Sequence, residues 1–350
     1  MTIVFIFLAI LMLGLLICAH EFGHFITARA LGIAVKEFSV GFGPKLKQWK
    51  GKKRETVYSL RGIPLGGYCA FYEDETDELQ ENDPRRYASA RVWKRMLVVL
   101  AGSVTNILLA FVLAVALHLA YGMLPAQPAL ETVTAGSPAA EAGLLPGDVL
   151  LRAGETELAV GNAAGISDAV ALLAEGEPLQ LTVNRNGAEL TFSLTPMYDE
   201  AEGRKLIGVS VIAYTRPNVL QSVSGAWDSC VYASTAIAKS LYRLIFHGEG
   251  AADVSGPVGV VQLIAEQTQA GGAYMYLNLA ILIGINLGMI NLLPIPGLDG
   301  SRFLFLLWEA VRRKPVNRKV EAAIHMAGFV LLFGLMLLFT FRDIGRLFGG

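Results

Sequence analysis

The sequence predicts a polytopic α-helical membrane protein with about four transmembrane helices and two polar insertions. Hydrophobic residues make up 53% of the 350 residues and charged residues only 17%, and the mean hydropathy is +0.49. Soluble proteins carry a charge at about a quarter of their positions. Four long apolar stretches and one stretch of soluble composition, residues 127–200, divide the chain. The net charge of −1 gives no indication of a nucleic-acid partner.

The first predicted transmembrane helix covers residues 1–28 and contains the motif His20-Glu21-Phe22-Gly23-His24. Histidines four positions apart lie one turn apart on the same helix face, so both imidazoles can reach one zinc ion. Glu21 beside them can act as a general base. Ionisable groups at bilayer depth are costly and are functional by default. The motif therefore predicts a hydrolytic zinc site within a membrane helix.

Residues 29–95 form a polar segment that we place on the cytoplasmic side. Residues 29–96 hold 14 of the 29 Lys and Arg residues, and cytoplasmic loops carry an excess of these residues. This orientation puts the N-terminus outside and the histidine motif near the inner leaflet. Glycine-rich turns at 41–44 and 63–68 flank alternating stretches and predict a membrane-associated β-hairpin. The pattern alone is equally typical of an ordinary surface hairpin.

The second predicted transmembrane helix, residues 96–121, contains Asn106. A polar group at bilayer depth needs a partner, and packing of helix against helix is the alternative to a role in a site. Residues 122–276 carry only seven Lys and Arg residues, which indicates an extracytoplasmic location. Within them, residues 127–200 resemble a PDZ domain, an α+β fold, from the loop and helical turn at 136–150 and the Asn-Gly turn at 186–187. Such domains bind extended peptides by strand addition, and a gate that excludes bulky substrates is the alternative.

Residues 201–275 are predicted to form an extracytoplasmic amphipathic helix and a loop. The helix, over residues 218–247, is expected to lie at the outer membrane surface, and a further span is the alternative. Its proposed apolar face contains Trp227, Val231, Ala238, Leu241 and Ile245.

The third predicted transmembrane helix covers residues 276–300 and is broken by two prolines between Asn291 and Gly300. Non-helical backbone at membrane depth is tolerated where it lines a buried or wet cavity, and Asp299 is an acid at this break. A cytoplasmic loop over 301–320 and a fourth helix over 321–342, ending outside, complete the chain. His325 is expected to have no ligand role.

The predicted topology places the two metal-binding stretches at one depth. The first and third helices both run from outside to inside, so His20, His24 and Asp299 all fall near the inner leaflet. Two histidines and one carboxylate suit a catalytic zinc ion whose fourth position is open to water.

Five motifs together resemble the site-2 protease family of intramembrane zinc metalloproteases, and its bacterial RseP/RasP-type branch in particular. They are HEFGH in the first span, PLGGY, the single PDZ-like domain, SGPVG and NLLPIPGLDG. The resemblance implies one zinc ion bound by His20, His24 and Asp299, with Glu21 as the base. It also implies that substrate backbone is held by Asn286 and Asn291, and by a hairpin strand containing Gly41, Gly43, Pro64, Leu65, Gly66, Gly67 and Tyr68.

The resemblance further implies a zinc metalloendopeptidase of the bacterial inner membrane. Its expected substrates are single-pass transmembrane proteins that another protease has already cut, such as anti-sigma factors or signal-peptide remnants. The chain departs from the family pattern at Ser301, where a second glycine is common, and at residues 102–106, which lack the usual proline. Two other functions stay open: an idle membrane scaffold whose PDZ domain binds peptides, and a soluble-facing zinc protease anchored by its first helix. The second would need a third ligand in residues 122–276, where the only histidine is His247.

Overall fold

The computed structural model describes the chain except residues 1–2, 52–55, 73–78, 80–82, 124–127, 159–163, 175, 201–202, 212–216, 251–254 and 350. The helices are α1 (Ile3–Ala30), α2 (Val92–Tyr121), α3 (Pro138–Glu141), α4 (Ala164–Leu172), α5 (Val219–His247), α6 (Pro257–Asn291), α7 (Asp299–Arg312) and α8 (Arg318–Gly349). The strands are β1 (Val35–Lys50), β2 (Val57–Phe71), β3 (Leu130–Val133), β4 (Val149–Ala153), β5 (Thr156–Glu157), β6 (Leu179–Arg185), β7 (Ala188–Leu194), β8 (Met197–Asp199), β9 (Arg204–Leu206) and β10 (Val209–Val211).

Within the described residues, four helices are long and apolar enough to cross a membrane. They are α1, α2, α6 and the part of α8 from Lys319 to Arg346. A helix rises about 1.5 Å per residue, so each exceeds the roughly 30 Å thickness of the hydrocarbon core. The predicted polytopic α-helical membrane protein is thereby confirmed.

Two stretches that the sequence predicted as loops are helical. α6 starts at Pro257, well before the predicted start at residue 276, because Gly256 caps the helix and Pro257 occupies its first turn. The axis of α6 is interrupted at Gly272, whose φ of 60° and ψ of −148° are not helical. α7 also occupies most of the segment that was predicted as a cytoplasmic loop over 301–320. Asp299 places an acidic group in the first turn, and Arg313 ends the helix in the left-handed conformation, where its N–H donates to the Glu309 carbonyl oxygen.

The hairpin strands β1 and β2 are long and bent, so each contributes two segments to one sheet. Residues 35–40 pair with 67–71 on one side, residues 37–40 pair with 57–60 on the other, and residues 45–50 pair with 57–61. Gly41 and Gly43, both with φ near +80°, lie at the bend of β1. Residues 67–71 form one edge of this sheet, and no other described segment pairs with the outer side of that edge.

The chain divides into two compact units. The first contains residues 1–117 and 224–350, and the second contains residues 118–223. In the first unit, Met12 and Leu16 of α1 belong to one buried cluster with Leu279 and Ala280 of α6. The part of α1 just before the histidine motif therefore packs against α6.

Helix α5 is present where an amphipathic helix was predicted, and it has two apolar faces. Trp227 and Val231 of the predicted face are 64% and 44% exposed. Ala226 and Cys230 lie on a different face, in a buried cluster that includes Ala114 of α2. The predicted face is therefore not the one that packs against the protein.

The second unit is built on the sheet β5-β4-β6-β7, with a core that includes Leu150, Leu181 and Val183. β10 pairs with β3, so this unit continues past the predicted boundary at residue 200. Asp148 is 1% exposed and accepts hydrogen bonds from Nε and Nη2 of Arg185, both at 2.6 Å. The Arg185 guanidinium holds the pKa of the Asp148 carboxyl below its usual range.

Candidate metal centre

The two histidines of α1 lie side by side on a buried helix face. His20 and His24 are 7% and 9% exposed, and their Nε2 atoms are 3.2 Å apart. Nδ1 of His24 lies 2.7 Å from the carbonyl oxygen of Val98 on α2, so Nδ1 donates and carries the hydrogen. The lone pair of His24 then resides on Nε2, the atom directed at His20. This is the tautomer that a metal ligand needs.

Asp299, the first residue of α7, brings a carboxylate to the same place. Its Oδ2 atom lies 2.9 Å from Nε2 of His20 and 3.2 Å from Nε2 of His24. The chain between α6 and α7 folds back tightly, since a Cβ at Gly300 would collide with the carbonyl oxygens of residues 292–293. Glycine at this position therefore lets the broken helix deliver Asp299 to the histidines.

The three ligand atoms have the separations that a zinc site requires. They lie 2.9–3.2 Å apart, and tetrahedral ligands with bonds of about 2.0–2.1 Å are about 3.3 Å apart. A Cβ at Gly102 of α2 would lie 2.5 Å from Nε2 of His24 and 2.7 Å from Nε2 of His20. Glycine thus leaves space beside both nitrogens. The donor set and this space fit a zinc ion.

Glu21 lies next to the histidines and is held by the hairpin. The backbone N–H of Cys69 in β2 donates a hydrogen bond to Glu21 Oε2 at 3.0 Å. Burial raises the pKa of the Cys69 thiol, and the nearby Glu21 carboxylate raises it further. The thiol therefore stays protonated and is a poor nucleophile or metal ligand. The contribution of Cys69 to the site is its backbone amide.

A cavity of about 220 Å³ opens at the histidines. Its lining residues are Ile17, His20, Glu21, Asn106, Leu287, Asn291, Gly297, Leu298 and Asp299. Of the two asparagines expected to hold substrate, Asn291 lines this cavity, whereas Asn286 is not among its described lining residues. Asn106, for which the sequence left helix packing as the alternative, does line it.

The hairpin residues expected to contact substrate follow α1 toward the cavity. A Cβ at Gly14 would collide with the carbonyl oxygen of Pro64, and a Cβ at Gly66 would lie 3.0 Å from Ile17, which lines the cavity. Gly67 packs equally closely on the backbone of β1, and the backbone of Leu65 continues the same strand. Gly41 and Gly43 instead lie at the bend of β1.

A polar network stiffens this part of the hairpin. Arg61 donates to the Tyr68 hydroxyl at 2.6 Å and to Glu37 Oε1 at 3.1 Å, and Ser59 donates to Glu37 at 2.6 Å. Burial alone would raise the pKa of the Glu37 carboxyl, but hydrogen bonds from Ser59, Tyr68 and Arg61 hold that pKa below its usual range. Tyr68 is thus fixed from the side of the sheet.

Several residues at the site carry no sequence signal for their role. The Val98 carbonyl and the Cys69 amide act through backbone atoms, which any residue type supplies. Gly102 belongs to the motif at residues 102–106, but nothing in the sequence indicated that it lies next to the histidine nitrogens. His325, expected to have no ligand role, accepts a hydrogen bond at Nδ1 from the N–H of Gly297 at 3.2 Å. It therefore supports the loop that precedes Asp299.

Comparisons with known proteins place the whole chain in one family. The sequence model of Peptidase family M50 matches residues 8–335. Regulator of sigma-W protease RasP from Bacillus subtilis is 30% identical, covering 97% of this chain and 98% of its own length. Zinc metalloprotease RasP from Geobacillus kaustophilus is 29% identical, covering 97% of both chains. A Clostridium acetobutylicum protein, also named as a zinc metalloprotease, is 33% identical with 97% coverage of both chains.

The membrane helices and the buried His–His–Asp cluster define a membrane-embedded metal centre. The chain belongs to Peptidase family M50, the site-2 protease family of membrane-embedded zinc metalloproteases. The predicted family, enzyme class and zinc cofactor are confirmed.

One solved structure resembles a part of this chain. The crystal structure of the PDZ domain of an SdrC-like protein from Listeria monocytogenes covers 25% of this chain and 90% of its own, with 14% identity and a TM-score of 0.23. So small a likeness assigns no fold. The PDZ prediction for residues 127–200 continues to depend on the sequence motifs.

Proposed function

We propose that this protein hydrolyses peptide bonds within or near the transmembrane segments of other membrane proteins. The observation that carries the proposal is the convergence of Nε2 of His20, Nε2 of His24 and Oδ2 of Asp299 within 3.2 Å of one another, beside Glu21. Since α1 is one of the apolar helices long enough to span a bilayer, the cluster is available to substrates that are themselves in the membrane.

His20, His24 and Asp299 would hold zinc. When bound, zinc lowers the pKa of a coordinated water to about 7 and polarises the peptide carbonyl. Val98 keeps Nδ1 of His24 protonated, so that Nε2 faces the ion. Glu21 takes a proton from the attacking water and returns it to the leaving amine. The Cys69 amide keeps one Glu21 oxygen in place and leaves the other free for this transfer.

Substrate must be unwound before it can be cut, because a helix hides its carbonyls in its own hydrogen bonds. The outer edge at residues 67–71, where the Cys69 N–H already donates to Glu21, would pair through its remaining groups with the released backbone as an added strand. Asn291 at the cavity would bind a substrate carbonyl, and Asn286 would act one or two turns away on α6. The hairpin edge and the general base are joined at Cys69, so strand addition would place the substrate next to Glu21.

The test is Glu21→Gln in the purified full-length protein. We expect it to retain zinc and to lose cleavage of a synthetic transmembrane substrate, because the glutamine cannot accept the proton. Asp299→Asn should lose activity and also retain zinc less well. A zinc-loaded Glu21→Gln protein that cleaves at the wild-type rate would refute the mechanism. Absence of zinc from the wild-type protein would favour the idle scaffold.

We also propose the orientation and the substrate type that the sequence predicted. Residues 29–95 face the cytoplasm, while the second unit and both termini face outside. In a protein whose native cysteines are replaced by serine, a cysteine at exposed Glu155 should react with a membrane-impermeant maleimide in intact cells. A cysteine at exposed Lys45 should react only after lysis. The opposite pattern would invert the topology.

The expected substrates are single-pass proteins that another protease has already shortened, and the second unit acts as a size filter. The Bacillus subtilis relative is named as a regulator of sigma-W, which supports anti-sigma factors as a substrate class. Because β10 pairs with β3, a clean deletion must remove residues 128–211. That deletion should permit cleavage of uncut substrates. An unchanged preference for pre-cut substrates would exclude the filter and leave a peptide-binding role.

A further inference from the structure

Asn106 of α2 is a buried side chain without a protein partner. It is 0% exposed, and neither Oδ1 nor Nδ2 forms a hydrogen bond with any described residue. A buried polar group left without a partner has lost its hydrogen bonds to water and gained none in return, which destabilises the folded state. Two such atoms on one side chain in a membrane helix therefore need a reason.

Helix packing does not supply that reason. Close approach of α2 to its neighbours is achieved by small residues: a Cβ at Gly284 of α6 would lie 3.5 Å from Ala110 Cβ and 3.6 Å from the Asn106 backbone oxygen. The carboxamide itself reaches no hydrogen-bonding group on the described parts of α1 or α6. Packing of helix against helix, the alternative left open by the sequence, buries the side chain but gives neither polar atom a partner among the described residues.

Asn106 lies beside the metal centre. Asn106 lines the cavity together with Glu21, Asn291 and Asp299. It lies one turn after Gly102, the residue whose missing Cβ leaves space beside the histidine nitrogens. Helical side chains lean toward the N-terminus of their helix, so Asn106 leans over the turn that contains Gly102.

The two unpartnered atoms determine what chemistry fits there. Oδ1 needs a donor and Nδ2 needs an acceptor. A peptide group offers both, and an unwound substrate segment brings peptide groups into this cavity. Asn291 enters the cavity from α6 and Asn106 from α2, so a segment lying there would meet carboxamides from two helices.

We propose that Asn106 is a substrate-binding residue that pairs with the backbone of the unwound substrate next to the scissile bond. This inference rests on the proposed function and adds a residue to it. The substrate satisfies Oδ1 and Nδ2, and the bonds hold the peptide in register with Glu21.

The test is Asn106→Leu, which keeps the size of the side chain and removes both polar atoms. We expect kcat/KM for a synthetic transmembrane substrate to fall about ten- to a hundredfold, as for loss of paired polar contacts to a substrate. Zinc content should equal that of the wild type, and the melting temperature should be unchanged or higher, because two unpartnered buried atoms are removed. Leu108→Ala, on the exposed side of the same helix, is the matched control and should leave kcat/KM unchanged.

A backbone-ester series identifies the contact. In each substrate of the series, one peptide N–H near the scissile bond is replaced by an ester oxygen. We expect the wild-type protein to cleave one of these substrates more slowly than the all-peptide substrate. The Asn106→Leu protein should cleave that ester and the all-peptide substrate at nearly the same rate. If Asn106→Leu does not fold, Asn106→Ser is measured in the same way.

The outcomes distinguish an error in the role of Asn106 from an error in the proposed proteolytic function. Wild-type kcat/KM in the Asn106 variant, equal sensitivity of both proteins to every ester, or loss of activity together with zinc or thermal stability would each overturn the role of Asn106. Failure of the proposed function would appear elsewhere, as normal cleavage by zinc-loaded Glu21→Gln.

Discussion

Gly102→Ala tests whether the space beside the histidines belongs to the metal. The added Cβ would lie 2.5 Å from Nε2 of His24 and 2.7 Å from Nε2 of His20. Carbon and nitrogen in van der Waals contact are about 3.4 Å apart, so α2 would have to retreat by nearly 1 Å. Retreat also breaks the 2.7 Å bond between His24 Nδ1 and the Val98 carbonyl. We expect overpacking to cost about 1–3 kcal/mol and zinc affinity to fall at least about 10–100-fold.

The assay is competition for zinc with a chelator of known affinity, on purified protein, with the melting temperature measured on the same samples. Gly334→Ala is the matched control, because it lies in α8 and a Cβ there meets nothing within 4 Å. The control should bind zinc like the wild type and melt slightly higher, since alanine is the better helix former. Wild-type zinc affinity in Gly102→Ala would refute the placement of the metal beside Gly102.

Three further predictions concern the second unit, the hairpin and the loop before Asp299. The Asp148–Arg185 pair contributes fully above the unfolded carboxyl pKa of about 3.9, and its contribution is lost as the pH falls through the lower pKa of the folded state. The protection factors of the β4 and β6 amides, which correct for the slower intrinsic exchange in acid, should therefore fall as the pH drops, and Asp148→Asn should show lower protection factors already at pH 7. Gly66→Ala places an L-residue at a φ of +96°, which costs the hairpin about 1–2 kcal/mol of stability. Substrate cleavage should therefore fall while zinc content stays normal. His325→Ala removes the acceptor for the Gly297 N–H, worth about 0.5–1.5 kcal/mol, and zinc should be retained less well in a chelator wash.

Local sequence patterns predicted the parts of the site that depend on side-chain identity. The i, i+4 spacing of His20 and His24 predicts a shared helix face, and the structure has their Nε2 atoms 3.2 Å apart. The paired prolines predict a broken helix that carries Asp299, and its carboxylate lies against both imidazoles. Residue type and spacing suffice in these cases because helix geometry converts them directly into position.

The features that escaped prediction depend on contacts between distant segments. The hydrogen bond from the Cys69 backbone to the Glu21 side chain joins residues 48 positions apart, and no pattern in either segment predicts it. Pairing of β10 with β3 extends the second unit for the same reason. The helical segment of α6 before Gly272 was not predicted, because Gly256-Pro257 is compatible with a turn as well as with a helix start.

The central claim is tested most directly by locating the cut in a substrate that is in a membrane. The purified wild-type protein and a single-pass substrate would be reconstituted together in liposomes in ¹⁸O-labelled water, and the products identified by mass spectrometry. We expect a new carboxyl terminus within or next to the apolar segment, carrying one ¹⁸O atom, and no such product from zinc-loaded Glu21→Gln. Cuts confined to soluble regions far from the apolar segment, or the same product from the Glu21 variant, would contradict the proposed function.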